Sequence, residues 1–140
     1  MTVGTVFPRS VGNVTLEGPY PVAASTSIVV GQLVAVTAAG YAVPAADTAN
    51  HLVAGIANKA ADNSTGANGA ITVEVATGSF FLTTASAAIA DIGDLLYITD
   101  ATTVNNADPG NTVKAGRMVG FVSATEVVVY IPSGLSAASL

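Results

Sequence analysis

"VGQLVAVT" fills residues 30–37 and "IGDLLYIT" fills residues 92–99. Both read apolar, Gly, amide or acid, Leu, apolar, any, apolar, Thr. The Gly permits a tight turn, Gln32 or Asp94 serves a turn position, and the Thr closes the strand that follows. The echo runs on. "VPAAD" (43–47) is answered by "VNNAD" (104–108), and "VAGIAN" (53–58) by "MVGFVS" (118–123). Two copies of strand, turn, strand, loop, strand imply a duplicated half-barrel. The alternative is coincidence in a chain rich in Val and Ala.

Working outward from the repeats, strand signals stay dense. Residues 28–30, 33–37, 41–43 and 52–58 read as short strands, the third stopped by Pro44. "NSTGANG" (63–69) is a loop that ends in the Asn68-Gly69 turn signal. Residues 71–76 alternate apolar and polar, as a half-buried strand does. Strands are also predicted at 80–83, 95–99, 118–122 and 127–131. The last is continuously apolar, the pattern of a strand covered on both faces. "TTASAAIADIGD" (83–94) holds at most one or two helical turns before Gly93. The fold class expected is therefore all-β: a compact barrel or sandwich of short strands, internally duplicated.

The ends read differently. Residues 1–22 place Pro8, Pro19 and Pro21 among Gly4, Gly12 and Gly18. Proline fixes φ and biases its predecessor toward extended geometry, so this stretch is an extended N-terminal arm. It carries Val3, Val6, Phe7, Pro8, Val11, Val14 and Leu16, so it is not a polar linker and is expected to lie on a surface. Residues 23–134 form the barrel domain. Residues 135–140 read as a flexible tail.

Composition narrows the function. Of 140 residues, 51% are hydrophobic and 9% charged, against roughly 25% charged in an ordinary soluble domain. No apolar run is long enough to cross a membrane as a helix, and no basic start with an apolar core suggests a secretory signal. A chain with so few charges must either cover its surface with small polar residues or spend its life in contacts. Lys59, Lys114, Arg9 and Arg117 are too few and too scattered for nucleic acid at a net charge of −5. With no Cys, thiol chemistry and disulfides are excluded.

No enzyme machinery can be named. His51 is the single histidine and reads as a loop residue. Asp91, Asp94 and Asp100 lie close in sequence but miss the spacing of a calcium loop. "DATTVNNADPG" (100–110) reads as a polar hairpin loop. Glu74 and Glu126 lie in or beside strands, Glu74 on the wet side. Tyr97 and Tyr130 read as core or interface aromatics. "GNTVKAG" (110–116) lacks the ending of a phosphate loop. No catalytic residue, metal or cofactor is expected.

The order of "VVGQLVAV", "GYAVPA", "LVAGIA", "ITVEVATGSFFL", "IGDLLYIT", "MVGFV" and "VVVYIPSG" resembles the small phage capsid cement, or decoration, proteins, a family once misannotated as recombinase-like. The resemblance spans roughly residues 24–134. Its most specific words are "VEVATGSFFL" (73–82) and "IADIGDLLYIT" (89–99). It implies a virion protein on the outer surface of the expanded icosahedral head. It implies homotrimers at three-fold and quasi-three-fold sites, with the major capsid protein and a second copy of itself as partners. On that reading the arm from Val3 to Leu16 lies across the capsid protein. Deleting residues 2–16 is then expected to abolish capsid binding and leave the barrel folded. The rivals are a tail, fibre or surface-layer subunit and, from another class, a hydrolase or sugar-binding β-domain. The latter would want exposed aromatics, which make up only 6% here.

Overall fold

A computed structural model describes residues 10–140. The chain is nearly all β, with a small closed β-barrel and extra strands. The strands are β1 (Ser10–Pro21), β2 (Thr26–Ile28), β3 (Leu33–Val36), β4 (Ala42–Pro44), β5 (Leu52–Ala57), β6 (Ala61–Asn63), β7 (Thr72–Thr84), β8 (Leu95–Ile98), β9 (Thr103–Asn105), β10 (Lys114–Ser123) and β11 (Glu126–Ile131). Short 3-10 turns lie at Ile89–Asp91 and Ser136–Ser139.

The repeated phrases fold alike. Gly31 and Gly93 take left-handed φ values of 88° and 98°, which a side chain would resist. The Gly31 amide donates to the Ala57 carbonyl, and the Ala57 amide donates to Gln32. The Gly93 amide donates to the Met118 carbonyl, and the Met118 amide donates to Asp94. After each strand the Thr amide closes the turn, Thr37 onto Tyr41 and Thr99 onto Thr103.

The match extends to every pairing that follows. β3 pairs β5 through Leu33 with Ile56, Val34 with Gly55 and Ala35 with Val53, with a bulge after Val34. β8 pairs β10 through Leu95 with Arg117, Leu96 with Gly116 and Tyr97 with Lys114, with a bulge in the same place. β5 then pairs β7 through Ile56 with Ala76, as β10 pairs β11 through Arg117 with Tyr130. So "VAGIA" (53–57) corresponds to "KAGRM" (114–118). The expected match to "MVGFVS" is out of register, and Val43 answers Asn105 rather than Val104. The apolar lettering misled because a slid frame of Val and Gly fits as well as the true one.

Each copy closes on itself. In the second, the later half of β7 pairs β11 antiparallel, β11 continues to β10, β8 and β9, and β9 returns to β7 in parallel at Thr83 and Thr84. This is the closed barrel. In the first, β1 pairs the earlier half of β7, which leads through β5 and β3 to β4. One parallel bridge, Val22 to Ala42, completes that ring. β7 is shared, its earlier half serving the first unit and its later half the second. The small β2–β6 ribbon is an addition of the first unit.

Two stretches are tied more firmly than expected. From Ser10 on, the arm is a strand of the molecule's own sheet: Leu16 pairs with Ala76 and Val11 with Ser79. The tail is docked, not loose. Ala137 is buried, Leu135 packs against the first unit's core, and the Lys114 Nζ donates to the Leu140 carbonyl at 2.8 Å. The Ser136–Ser139 turn that carries Ala137 lies against β5 and β10.

The interior alternates as strand geometry requires. Val34, Val36, Ala42, Ala57, Val73 and Val75 fill the first ring. Their counterparts Leu96, Ile98, Val104, Met118, Val127 and Val129 fill the second, with Phe80 and Leu82. The outward residues of the first unit are buried too. Leu33, Ala35, Val53, Ile56 and Ala76 join the second unit's core cluster.

Candidate interaction surface

The outward residues of the second unit meet a different fate. Leu95 and Tyr97 are half-buried, Arg117 is exposed, and Tyr130 is 46% exposed. They occupy the places of Leu33, Ala35, Ile56 and Ala76, all buried. The apolar strand β11, expected to be covered on both faces, alternates instead: Val127, Val129 and Ile131 point in, while Val128 is half-buried and Tyr130 faces out. Its outer face is therefore only partly covered by the described residues. Tyr130 is a surface aromatic rather than a core one.

β8, β10 and β11 lay these side chains in rows. Leu95, Arg117 and Tyr130 sit opposite one another across the three strands, with Tyr97 and Lys114 in the next row. Neighbours across a sheet stand close enough to act as one patch. The Arg117 guanidinium donates to the Gly93 carbonyl at 3.1 Å, which steadies it beside the Leu95 edge. Lys114 and Arg117, two of the chain's four cations, both lie on this face. Beside it the Ile89–Asp91 turn lies against β10. There Ile89, Ile92, Val119 and Val122 are all exposed, Ile89 to 68%.

The arm residues divide. Val3, Val6, Phe7 and Pro8 lie outside the described residues. Val11 is exposed on the edge of β7, at 37%. Val14 is buried and Leu16 packs against the same core, so these two already support the barrel. A deletion of residues 2–16 would strip half of β1 and its burial, and would test folding as much as binding.

The candidate chemistry resolves into turn bracing. Asp91 accepts the Ala88 amide at 2.8 Å. Asp100 accepts from Thr102; burial pushes its carboxyl up, but hydrogen bonds from Thr102 and Thr103 outweigh this and hold it below its ordinary value. Asp108 accepts the Thr112 hydroxyl at 2.6 Å and the Gly110 amide at 2.8 Å, and these bonds lower its pKa. Asp47 accepts the Asn111 amide at 3.1 Å and so ties the two units together. Glu74 accepts from Asn58 at 2.6 Å. Among the described residues no group of His, Asp and Glu could hold a metal ion, and no helix is long and apolar enough to cross a membrane.

Glu17 does structural work that the sequence did not advertise. One of its oxygens accepts the Thr77 hydroxyl at 2.6 Å and the other the Gly134 amide at 2.6 Å. This clip joins β1, β7 and the start of the C-terminal segment. Burial first, and the Glu17 charge second, push the nearby Tyr20 phenol above its ordinary pKa.

No protein-family model matches the chain, and no curated protein matches it in sequence.

The face of Leu95, Tyr97, Arg117 and Tyr130 was the site that reading the sequence missed. Its signal was present in the repeat itself. In true register, Ala35, Ile56 and Ala76 become Tyr97, Arg117 and Tyr130. Aligning the halves through "VAGIA" and "KAGRM" would have exposed that change.

Proposed function

We propose that the protein is a capsid decoration protein. It binds the outer surface of an expanded icosahedral phage head as homotrimers at three-fold and quasi-three-fold sites, and it stabilises the shell by binding alone. The observation that carries this reading is the only partly covered outer face of β8, β10 and β11: an aromatic and aliphatic patch on a closed barrel, in a chain with few charges. Such a face suits a partner protein, since Tyr and Arg are enriched where interfaces bury surface. The resemblance over residues 24–134 supplies the identity of the partners, a second copy of the chain and the major capsid protein. A ligand that binds only the assembled, expanded lattice stabilises it by mass action, with no catalysis or cofactor needed. Repetition at three-fold sites makes modest contacts multivalent.

The test is co-sedimentation with expanded and unexpanded shells that lack the protein. Saturable binding to expanded shells alone, near one copy per capsid subunit, is expected. A soluble protein left behind by both shells would defeat the reading and favour a tail, fibre or surface-layer subunit. For the arm, deletion of residues 2–9 replaces the longer deletion, because it leaves β1 and Val14 in place. The shortened protein should keep its unfolding midpoint and lose shell affinity.

A further inference from the structure

We propose that the outer face of β8, β10 and β11 docks a second copy of this chain head to tail, receiving the β3–β4 turn of that copy's first unit. The contact is already present once inside each molecule. The outer face of the first unit, Leu33, Ala35, Ile56 and Ala76, is buried against the second unit. Part of that contact is a backbone bond: the Leu33 amide donates at 2.7 Å to the carbonyl of Ala101, in the turn between β8 and β9.

A tandem pair that packs this way leaves one half of the same contact unused at each end. The second unit keeps a face, with Leu95 in the place of Leu33. The first unit keeps a turn, with Ala39 in the place of Ala101. That turn, at Ala38, Ala39 and Gly40, is exposed. Val113, buried in the second unit, likewise has an exposed counterpart, Leu52 at 38%. The unused face and the unused turn are complementary by descent from one contact. They lie in different units, so they meet between molecules as a heterologous interface.

The residues on the free face fit a contact formed after folding. Leu95 keeps its leucine, while Ala35, Ile56 and Ala76 are replaced by Tyr97, Arg117 and Tyr130. Tyr and Arg tolerate water before docking and act as anchors once covered. A heterologous contact either closes into a ring or grows into a filament. Closure after three copies would yield the trimer proposed above, which this inference deepens by naming the surfaces.

The chain has no cysteine, so single introduced thiols report the contact cleanly. Ala39→Cys and Leu95→Cys chains are prepared separately, mixed, and oxidised without any capsid. Covalent dimers should form in the mixture and not in either chain alone, because the contact pairs unlike surfaces. Tyr130→Glu should weaken self-association at least about tenfold, the effect of losing one buried aromatic anchor. Its unfolding midpoint should stay put, since Tyr130 lies on the surface. Three results would overturn the proposal: a chain that stays monomeric at its solubility limit, oligomers with no 39–95 cross-link, or equal cross-linking within a single variant. No shell enters this experiment. Failure here removes the contact, whereas failure of co-sedimentation removes the decoration role.

Discussion

β3 and β8 are spelled nearly alike and buried differently. All four residues of β3, Leu33–Val36, are buried, whereas β8, Leu95–Ile98, alternates half-buried and buried. The backbone does not distinguish them, because turn, pairing and bulge are the same in both. The difference lies in what covers the outer face: the other unit in one case, and only a partial cover among the described residues in the other. Local sequence therefore set the strand and its inward face. Tandem packing decided the fate of the outward face, and the residues there diverged accordingly.

Truncating matched outward positions gives the largest expected contrast. Ile56 is wholly buried, and Ile56→Ala should cost about 2–5 kcal/mol, transfer and cavity together. Arg117 holds the same place in the second unit and is exposed; Arg117→Ala should stay within about 0.5 kcal/mol in the monomer. Denaturant unfolding of both variants measures this directly. Equal costs would mean that the two faces are not differently covered, and the comparison would fail.

How much of this was legible follows from the same contrast. The duplication, the all-β class and the turn glycines came from period-two patterning and local turn chemistry, which need only neighbours in sequence. The register of the second half did not. Sliding "VAGIAN" onto "MVGFVS" preserves the lettering, and only pairing to β7 and β11 shows that Gly55 answers Gly116. β2 was placed two residues late, at 28–30, and β6 and β9 were missed because their three residues sit among turn-rich polar sequence. Residues 10–21 read as an extended arm lying on an unspecified surface because Pro19, Pro21 and two glycines interrupt them. Their pairing to β7 is a long-range choice that no local rule reveals. The face at Tyr97, Arg117 and Tyr130 was hidden for the same reason, since it is defined by what fails to cover it.

The glycines should sharpen the comparison in the opposite sense. A Cβ on Gly55 would run into the Ala76 carbonyl, and one on Gly116 into the Tyr130 carbonyl. Both obstacles are backbone of the neighbouring strand, so neither can swing aside. Gly55→Ala and Gly116→Ala should each cost about 3 kcal/mol, Gly55 the more because its φ of 154° also resists a side chain. A thermal melt of each tests it. A mild effect at one position only would show that the equivalence of β5 and β10 is looser than their registers imply.

The Glu17 clip belongs to the first unit alone. The place of Thr77 is taken in the second unit by Ile131, which is buried in the core. Thr77→Val keeps the shape and removes the hydroxyl that Glu17 accepts. A cost of about 1.5 kcal/mol is expected, since the bond is to a carboxylate and partly buried. Amide exchange should quicken around Gly134, whose N–H shares that carboxylate. Unchanged exchange there would show that the C-terminal segment is held by Ala137 and Lys114 without the clip.

The smallest effect concerns Asp47 and Asp108, two acids that both converge on the loop at 110–112. Asp47 reaches it from the first unit through Asn111, and Asp108 braces it from within through Gly110 and Thr112. The Thr112 hydroxyl, then the Gly110 amide, lower the Asp108 pKa from an unfolded value of 3.8. A lowered folded pKa means that the unfolded chain binds the proton more readily. The stability it contributes is present above pH 3.8 and is lost as the pH falls through the lower folded value. Because Asp108 is on the surface, that contribution is small and salt will screen it. Asp108→Asn should flatten only the acid end of a plot of denaturation midpoint against pH, below about pH 4, and leave the neutral region parallel to the native curve. If the curve drops as far at the acid end, where the native Asp108 is itself uncharged, the carboxyl holds the loop through its hydrogen bonds and not its charge, and the bridge from Asp47 to Asn111 is not enough to keep the loop in place.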